Sequence, residues 1–86
     1  MTCRIDRLDI ERGVVLRLSG RITRDDMEVL RTALEERGVV AVDLEAIELV
    51  DRDAVTFLSG KELSGIELSH CPAFIREWIA RERGRN

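Results

Sequence analysis

Apolar and polar positions along this chain change period several times, and each change marks an element. The strongest pattern lies at 39–58, VVAVDLEAIELVDRDAVTFL. A near-continuous apolar run, Val39 to Val42, leads to a third strand over Val39–Leu44. A polar break follows, and then a short extended piece, Ile47 to Val50. After Asp51 the apolar positions fall at Ala54, Val55, Phe57 and Leu58, the spacing of a helix laying one side on a core. Asp51 occupies the helix N-cap position. The helix is expected over Arg52–Leu63, with Gly60 as a weak point and Gly65 as its end. Asp51–Arg52–Asp53 is thus expected to be an exposed turn between a buried strand and an anchored helix, a common setting for functional residues.

The same reading extends to the rest of the chain. Residues Thr2–Ile10 form a first strand in which Cys3 and Ile5 share one parity and Leu8 and Ile10 the other. That slip predicts a bulge near Asp6–Arg7 on an edge strand. Glu11–Arg12–Gly13 is a hairpin link. In the second strand Val14, Leu16 and Leu18 share one face, Val15, Arg17 and Ser19 the other, and Gly20 closes it. Thr23 caps a first helix, with Asp25 and Asp26 in its first turn. Met27, Leu30, Ala33 and Leu34 form its apolar stripe, and Gly38 stops it. Ile66, Leu68 and His70 alternate in a fourth strand. Pro72 sits at N1 of a last helix whose apolar face is Phe74, Ile75, Trp78 and Ile79, and the charged tail Arg81–Asn86 is expected to fray.

The resulting order, β-β-α-β-α-β-α, predicts an α/β fold: a four-stranded mixed sheet, antiparallel in its first hairpin and parallel across the helical crossovers. In strands two to four one face is apolar (Val14, Leu16, Leu18; Val40, Val42, Leu44; Ile66, Leu68) and the other mixed (Val15, Arg17, Ser19; Val39, Ala41, Asp43; Glu67, Ser69). A doubly wound sheet needs both faces apolar. All three helices are therefore expected on one face.

Composition narrows the classes. The 86 residues suit one domain, 1–86, and a domain of this size buries only about 60 % of its unfolded surface. With 44 % hydrophobic and 36 % charged residues the chain reads as a soluble globule. Net charge is −3, no basic block occurs, aromatic residues are 3 % and tyrosine is absent, so nucleic acid is not an expected partner. No apolar run approaches the ~20 residues of a membrane span. The N-terminal stretch MTCRIDRLD has no apolar signal segment, and a cytoplasmic location is expected.

Candidate chemistry is sparse. Cys3 and Cys71 match no metal or redox spacing and are expected as free thiols. His70 and Cys71 are adjacent on a strand and point to opposite faces, which does not make a nucleophile–base pair. Cys71 has one route to reactivity, the N-terminus of the last helix. The glycines form no phosphate-binding loop. No enzyme activity, cofactor or metal is expected.

The run VVLRLSGRI, a helix, VVAVDLEAIELVDRDAVTFL, a helix, a strand and a helix resembles the STAS domain, the family of bacterial anti-sigma factor antagonists and of related transporter modules. The likeness spans about Val14 to Ile79. It rests most on Leu16–Arg17–Leu18–Ser19–Gly20 and on Val42–Asp43–Leu44 followed by Val50–Asp51. In the antagonists a serine or threonine follows that last aspartate and is phosphorylated by a kinase-like anti-sigma factor. A helix N-terminus suits a phosphate there. Here the position is Arg52, and the glycine two residues on is Ala54. The resemblance thus implies a bacterial, non-enzymatic regulatory module that lacks the usual switch. Its partner-binding residues would be Asp51, Arg52 and Asp53. Its partner would be an anti-sigma-factor or kinase-like protein, or alternatively a transporter ATPase of which the chain is a small subunit. A second copy of the chain is a further possible partner. Another alternative is an anionic-ligand or nucleotide-binding module using helix N-termini near Thr23, Asp51 and Pro72.

Overall fold

A computed structural model describes residues 3–84; the expectations for Thr2, Arg85 and Asn86 lie outside these residues. The chain runs β1 (Cys3–Ile10), β2 (Gly13–Ile22), a 3₁₀ turn (Arg24–Asp26), α1 (Met27–Leu34), β3 (Val39–Val50), α2 (Arg52–Leu63), β4 (Glu67–Ser69) and α3 (Ala73–Arg83). The sheet order is β1-β2-β3-β4. β1 pairs antiparallel with β2, and the β2–β3 and β3–β4 pairs are parallel. The fold is the expected α/β arrangement with a four-stranded mixed sheet. Both parallel connections carry a helix in the same direction across the sheet, and the usual right-handed crossover puts both helices on one side. Leu30 and Leu34 of α1, Val55 and Leu58 of α2, and Ile75 and Ile79 of α3 join Leu16, Leu18, Val42 and Leu44 in one core. Among the described residues the opposite face of the sheet carries no helix.

The third strand differs most from the pattern reading. Val39–Val50 is one strand, with no break after Leu44. Its register against β2 slips between Val14/Val15, Arg17/Ser19 and Gly20/Arg21. Each slip gives β3 an extra residue, as a bulge does. Val39 pairs with Val14 and packs on the core, so Val40 is the first extra residue. Glu45 and Glu48 fall at the other two slips, between the pairs Asp43–Arg17 and Ala46–Ser19 and between Ile47–Gly20 and Leu49–Arg21. Bulging converts a period of two into a period of three, which is why Leu44, Ile47 and Val50 are all buried. The polar residues between them mark bulges inside a strand and do not end it.

In β1 the expected bulge is absent. Its pairing with β2 is unbroken from Cys3–Gly20 to Ile10–Gly13. The parity slip has another cause. Cys3 and Ile5 face the helices, but the same face then carries Arg7, which pairs with Glu36 beyond α1. Leu8 and Ile10 point to the helix-free face and are exposed. The second strand runs past Gly20, whose φ is 88°, to Ile22. Gly13, φ 147°, lies under the Gly38 carbonyl, which accepts the Val14 N–H at 2.7 Å; a Cβ at Gly13 would collide with that oxygen.

The helix ends also depart in detail. Thr23 opens the 3₁₀ turn, and its backbone N–H donates to Asp26 Oδ2 at 2.9 Å. Pro72 is the N-cap of α3, one residue before its expected place. β4 is shorter than expected, and His70 leaves it at φ 51°. Phe74 is exposed, and Ile75 and Ile79 carry the buried face of α3. The helix continues to Arg83 where fraying was expected from Arg81, because Arg83 donates to Ser59 Oγ at 3.0 Å and to Glu62 Oε1 at 2.9 Å on α2.

Candidate functional site

The bend from β3 to α2 falls at Asp51–Arg52, where the pattern places it. Asp51 is extended (φ −106°, ψ −178°), the conformation of an N-cap, and Arg52 begins α2. Both carboxylate oxygens of Asp51 are used. Oδ1 accepts the Ala54 N–H at 2.9 Å, and Oδ2 accepts the Arg24 N–H at 2.8 Å. The first bond caps α2. The second ties this turn to the 3₁₀ turn that precedes α1. The Asp51 N–H donates to the Ile22 carbonyl at 3.2 Å, so the ends of β2 and β3 are held at the same place. Asp51 therefore acts inside the protein, as a clamp between two connections.

Arg52 and Asp53 both lie in the first turn of α2 and are exposed. The Arg52 side chain is 66 % exposed, and its Nε stands 3.4 Å from Oε1 of Glu82, on the last turns of α3. A surface ion pair of this kind contributes little to stability. It does fix a direction for the guanidinium, across the start of α2 toward the end of α3. Beside it, α2 and α3 are joined by a denser polar seam. Glu62 accepts from Arg76 at 2.9 and 3.0 Å and from Arg83. The Arg76 hydrogen bond, aided by Arg83, holds the Glu62 carboxyl below its ordinary value against the opposing effect of burial. Ser59, a buried hydroxyl, is held by Arg83.

The thiols are not activated. Burial, with Asp26 nearby, pushes Cys3 up to about 11. Burial also raises Cys71, although it precedes a helix. The Cys71 Sγ lies near the Pro72 carbonyl, and His70 Nδ1 is 3.5 Å from Asp43 Oδ1.

That last contact belongs to a cluster that the hydropathy pattern does not reveal. By pattern Asp43 is only a mixed-face strand residue, yet its side chain is 8 % exposed on the helix-free face. Its Oδ1 accepts the Glu45 N–H at 3.0 Å, so the carboxylate caps the bulge in β3. Arg17 Nε lies 3.7 Å from Oδ2. Asp43, Glu45 and His70 bring one ligand atom each within 4.8 Å of one another. His70 stands 27 residues beyond Asp43, and only the parallel β3–β4 pairing, Asp43 with Ser69, brings them together. The one signal in the sequence is a lone histidine at the end of a strand predicted to lie next to β3.

Among the described residues no helix is long and apolar enough to cross a membrane. No protein-family model matches the chain, and no curated protein matches it.

Proposed function

We propose that this chain is a non-enzymatic protein-interaction module of the STAS type, acting as a bacterial, cytoplasmic regulator, with Arg52 and Asp53 as its contact residues. The observation that carries this reading is an exposed guanidinium at the first turn of α2, on a bend clamped by Asp51 at both carboxylate oxygens. A contact residue on a rigid corner loses little conformational freedom on binding. A serine at this position would alternate between neutral and about −2. Arg52 is fixed at +1, so the module would bind constitutively, to an acidic partner group that takes over from Glu82. A cation in the first turn opposes the helix dipole by about 0.3–1 kcal/mol, which Glu82, or a partner carboxylate in its place, offsets.

The local hydrogen bonding favours this reading over an anionic-ligand site. The backbone N–H groups of Thr23, Arg24 and Ala54 already donate to Asp26 and Asp51. The shallow depression beside α1 is lined by Asp25 and Glu28. An incoming phosphate would meet carboxylates at each of these, whereas the start of α3 after Pro72 carries no acidic residue in its first turn.

The test is Arg52→Glu in an affinity capture from the native cell. A glutamate at N1 is favoured by the helix dipole, and its repulsion from Glu82 is a surface effect worth little, so the variant stays folded. The reading expects capture of a specific protein by the native chain and its loss with Arg52→Glu. A kinase-like partner and a transporter ATPase are the two outcomes that separate the family's branches. Equal capture by both chains would remove the turn from the interface.

A further inference from the structure

We propose that Asp43, Glu45 and His70 form a binding site for a divalent transition-metal ion on the helix-free face of the sheet. The site is remote in role from the Asp51–Asp53 turn and does not depend on the interaction proposed there.

Asp43 is the anchor. A carboxylate buried in a sheet face requires charge compensation. The direct hydrogen bond to this one comes from the Glu45 backbone at 3.0 Å. His70 Nδ1 at 3.5 Å and Arg17 Nε at 3.7 Å stand beyond the 2.7–2.9 Å of charge-assisted hydrogen bonds. The two oxygens face different neighbours. Oδ2 faces Arg17, and Oδ1 faces His70 and the bulge that carries Glu45. A metal-ligating carboxylate held through its second oxygen by an outer partner is a common arrangement. Arg17 is placed for that role by the register that sets it directly opposite Asp43.

The donor set defines the ion. One imidazole nitrogen and two carboxylate oxygens suit Zn²⁺, Co²⁺ or Mn²⁺. An all-oxygen shell, as Ca²⁺ and Mg²⁺ prefer, is not offered. The ligand atoms lie within 4.8 Å of one another. Metal–ligand bonds of about 2.0–2.2 Å hold neighbouring donors closer than that. Closing the difference falls to Glu45 and His70, whose side chains are exposed, while Asp43 is buried. Two carboxylates stand against one arginine, an excess of acidic groups that favours a cation. Water completes the shell on the open side. Cys71, next in sequence to His70, is outside the ligand group, with its Sγ near the Pro72 carbonyl.

The experiment titrates the chelator-treated chain with Co²⁺ and then with Zn²⁺. The expected result is one saturable equivalent of Co²⁺, with visible ligand-field bands and no near-ultraviolet thiolate charge-transfer band. Zn²⁺ should compete for the same site and raise the thermal midpoint. His70→Ala and Glu45→Gln, both exposed positions whose circular dichroism should match the native chain, should each weaken Co²⁺ binding by at least about tenfold. Asp43 is left intact because its carboxylate caps the bulge. The proposal is overturned by absence of saturable binding, by unchanged affinity in both variants, or by a thiolate band that moves the ion to Cys3 or Cys71.

Discussion

Removing the Asp51 carboxylate tests the corner on which the proposed contact residues stand. Two bonds are lost in Asp51→Ala: the cap to the Ala54 N–H at 2.9 Å and the link to the Arg24 N–H at 2.8 Å. An N-cap aspartate replaced by alanine costs about 1 kcal/mol. The second bond goes to an ionised group, which would give about 1.5 kcal/mol when shielded. The Arg24 N–H is exposed and water replaces part of it, so about 0.5–1 kcal/mol remains. The sum is about 1.5–2 kcal/mol, against a total stability of roughly 4–13 kcal/mol for a domain of this length. At about 4–8 °C per kcal/mol, the thermal midpoint should fall by roughly 6–16 °C. Asp51→Asn separates the two bonds. Asparagine caps a helix as well as aspartate does, but its single carbonyl oxygen cannot serve both N–H groups, so about half the loss is expected. The assay is urea unfolding followed by far-ultraviolet circular dichroism, with the midpoint shifted at constant m-value. A loss below about 0.5 kcal/mol for Asp51→Ala, or an asparagine variant as unstable as the alanine one, would refute the double clamp.

Other substitutions probe the rest of the fold. Gly60 is exposed in the last turn of α2 with nothing within 4 Å of an added methyl group, so Gly60→Ala should stabilise by about 0.4–1 kcal/mol, measured by the same urea assay; a loss would mean hidden crowding on that face. The Glu62 carboxyl is depressed in the folded state, chiefly by Arg76, so its contribution is fully present above its unfolded value of 4.5 and disappears as pH falls through the folded value. The stability gap between the native chain and Glu62→Gln should therefore hold from neutral pH to about 5.5 and shrink below about 4.5; a gap independent of pH down to 3 would contradict the assignment. Cys3, raised to about 11, holds about one thiolate in a thousand at pH 8, so iodoacetamide should label it only through unfolding, at a rate that rises with urea. Labelling of Cys3 itself, located by peptide mass spectrometry apart from the half-buried Cys71, at the rate of a free thiol in the native chain would show that Cys3 is not buried in solution.

The clamp also bears on how the chain would work as a binding module. Where a phosphorylatable residue gives a turn two charge states, this turn holds one. Its guanidinium is directed toward Glu82, at the end of α3, and α3 is in turn fastened to α2 through Glu62. A partner that engages Arg52 thus meets a surface made from two helices held in one position. Replacing Glu82 by a partner carboxylate exchanges one surface ion pair for another, so the specificity of such a contact would come from the surrounding shape more than from the charge.

Local chemistry in the sequence determined the element order, the hairpin, the α2 boundaries and the N-cap at Asp51, because capping and helical periodicity depend on residues within a turn or two. The alternation of Val14, Leu16 and Leu18 against Val15, Arg17 and Ser19 was enough to place the helices on one face. The course of β3 was decided only in the assembled sheet. Its bulges are set by what β2 places opposite, so Glu45 and Glu48 looked like a break until the parallel pairing put Leu44, Ile47 and Val50 on the buried side. The β1 parity slip was likewise decided by pairing: the unbroken register with β2 keeps Arg7 on the face of Cys3 and Ile5, where Glu36, remote in sequence, meets it. The link from Asp51 to Arg24, the fastening of α3 by Arg83 and the meeting of Asp43 with His70 likewise join residues more than twenty positions apart. Periodicity reports which side of its own element a residue faces; which residue waits on that side is fixed by packing and strand register.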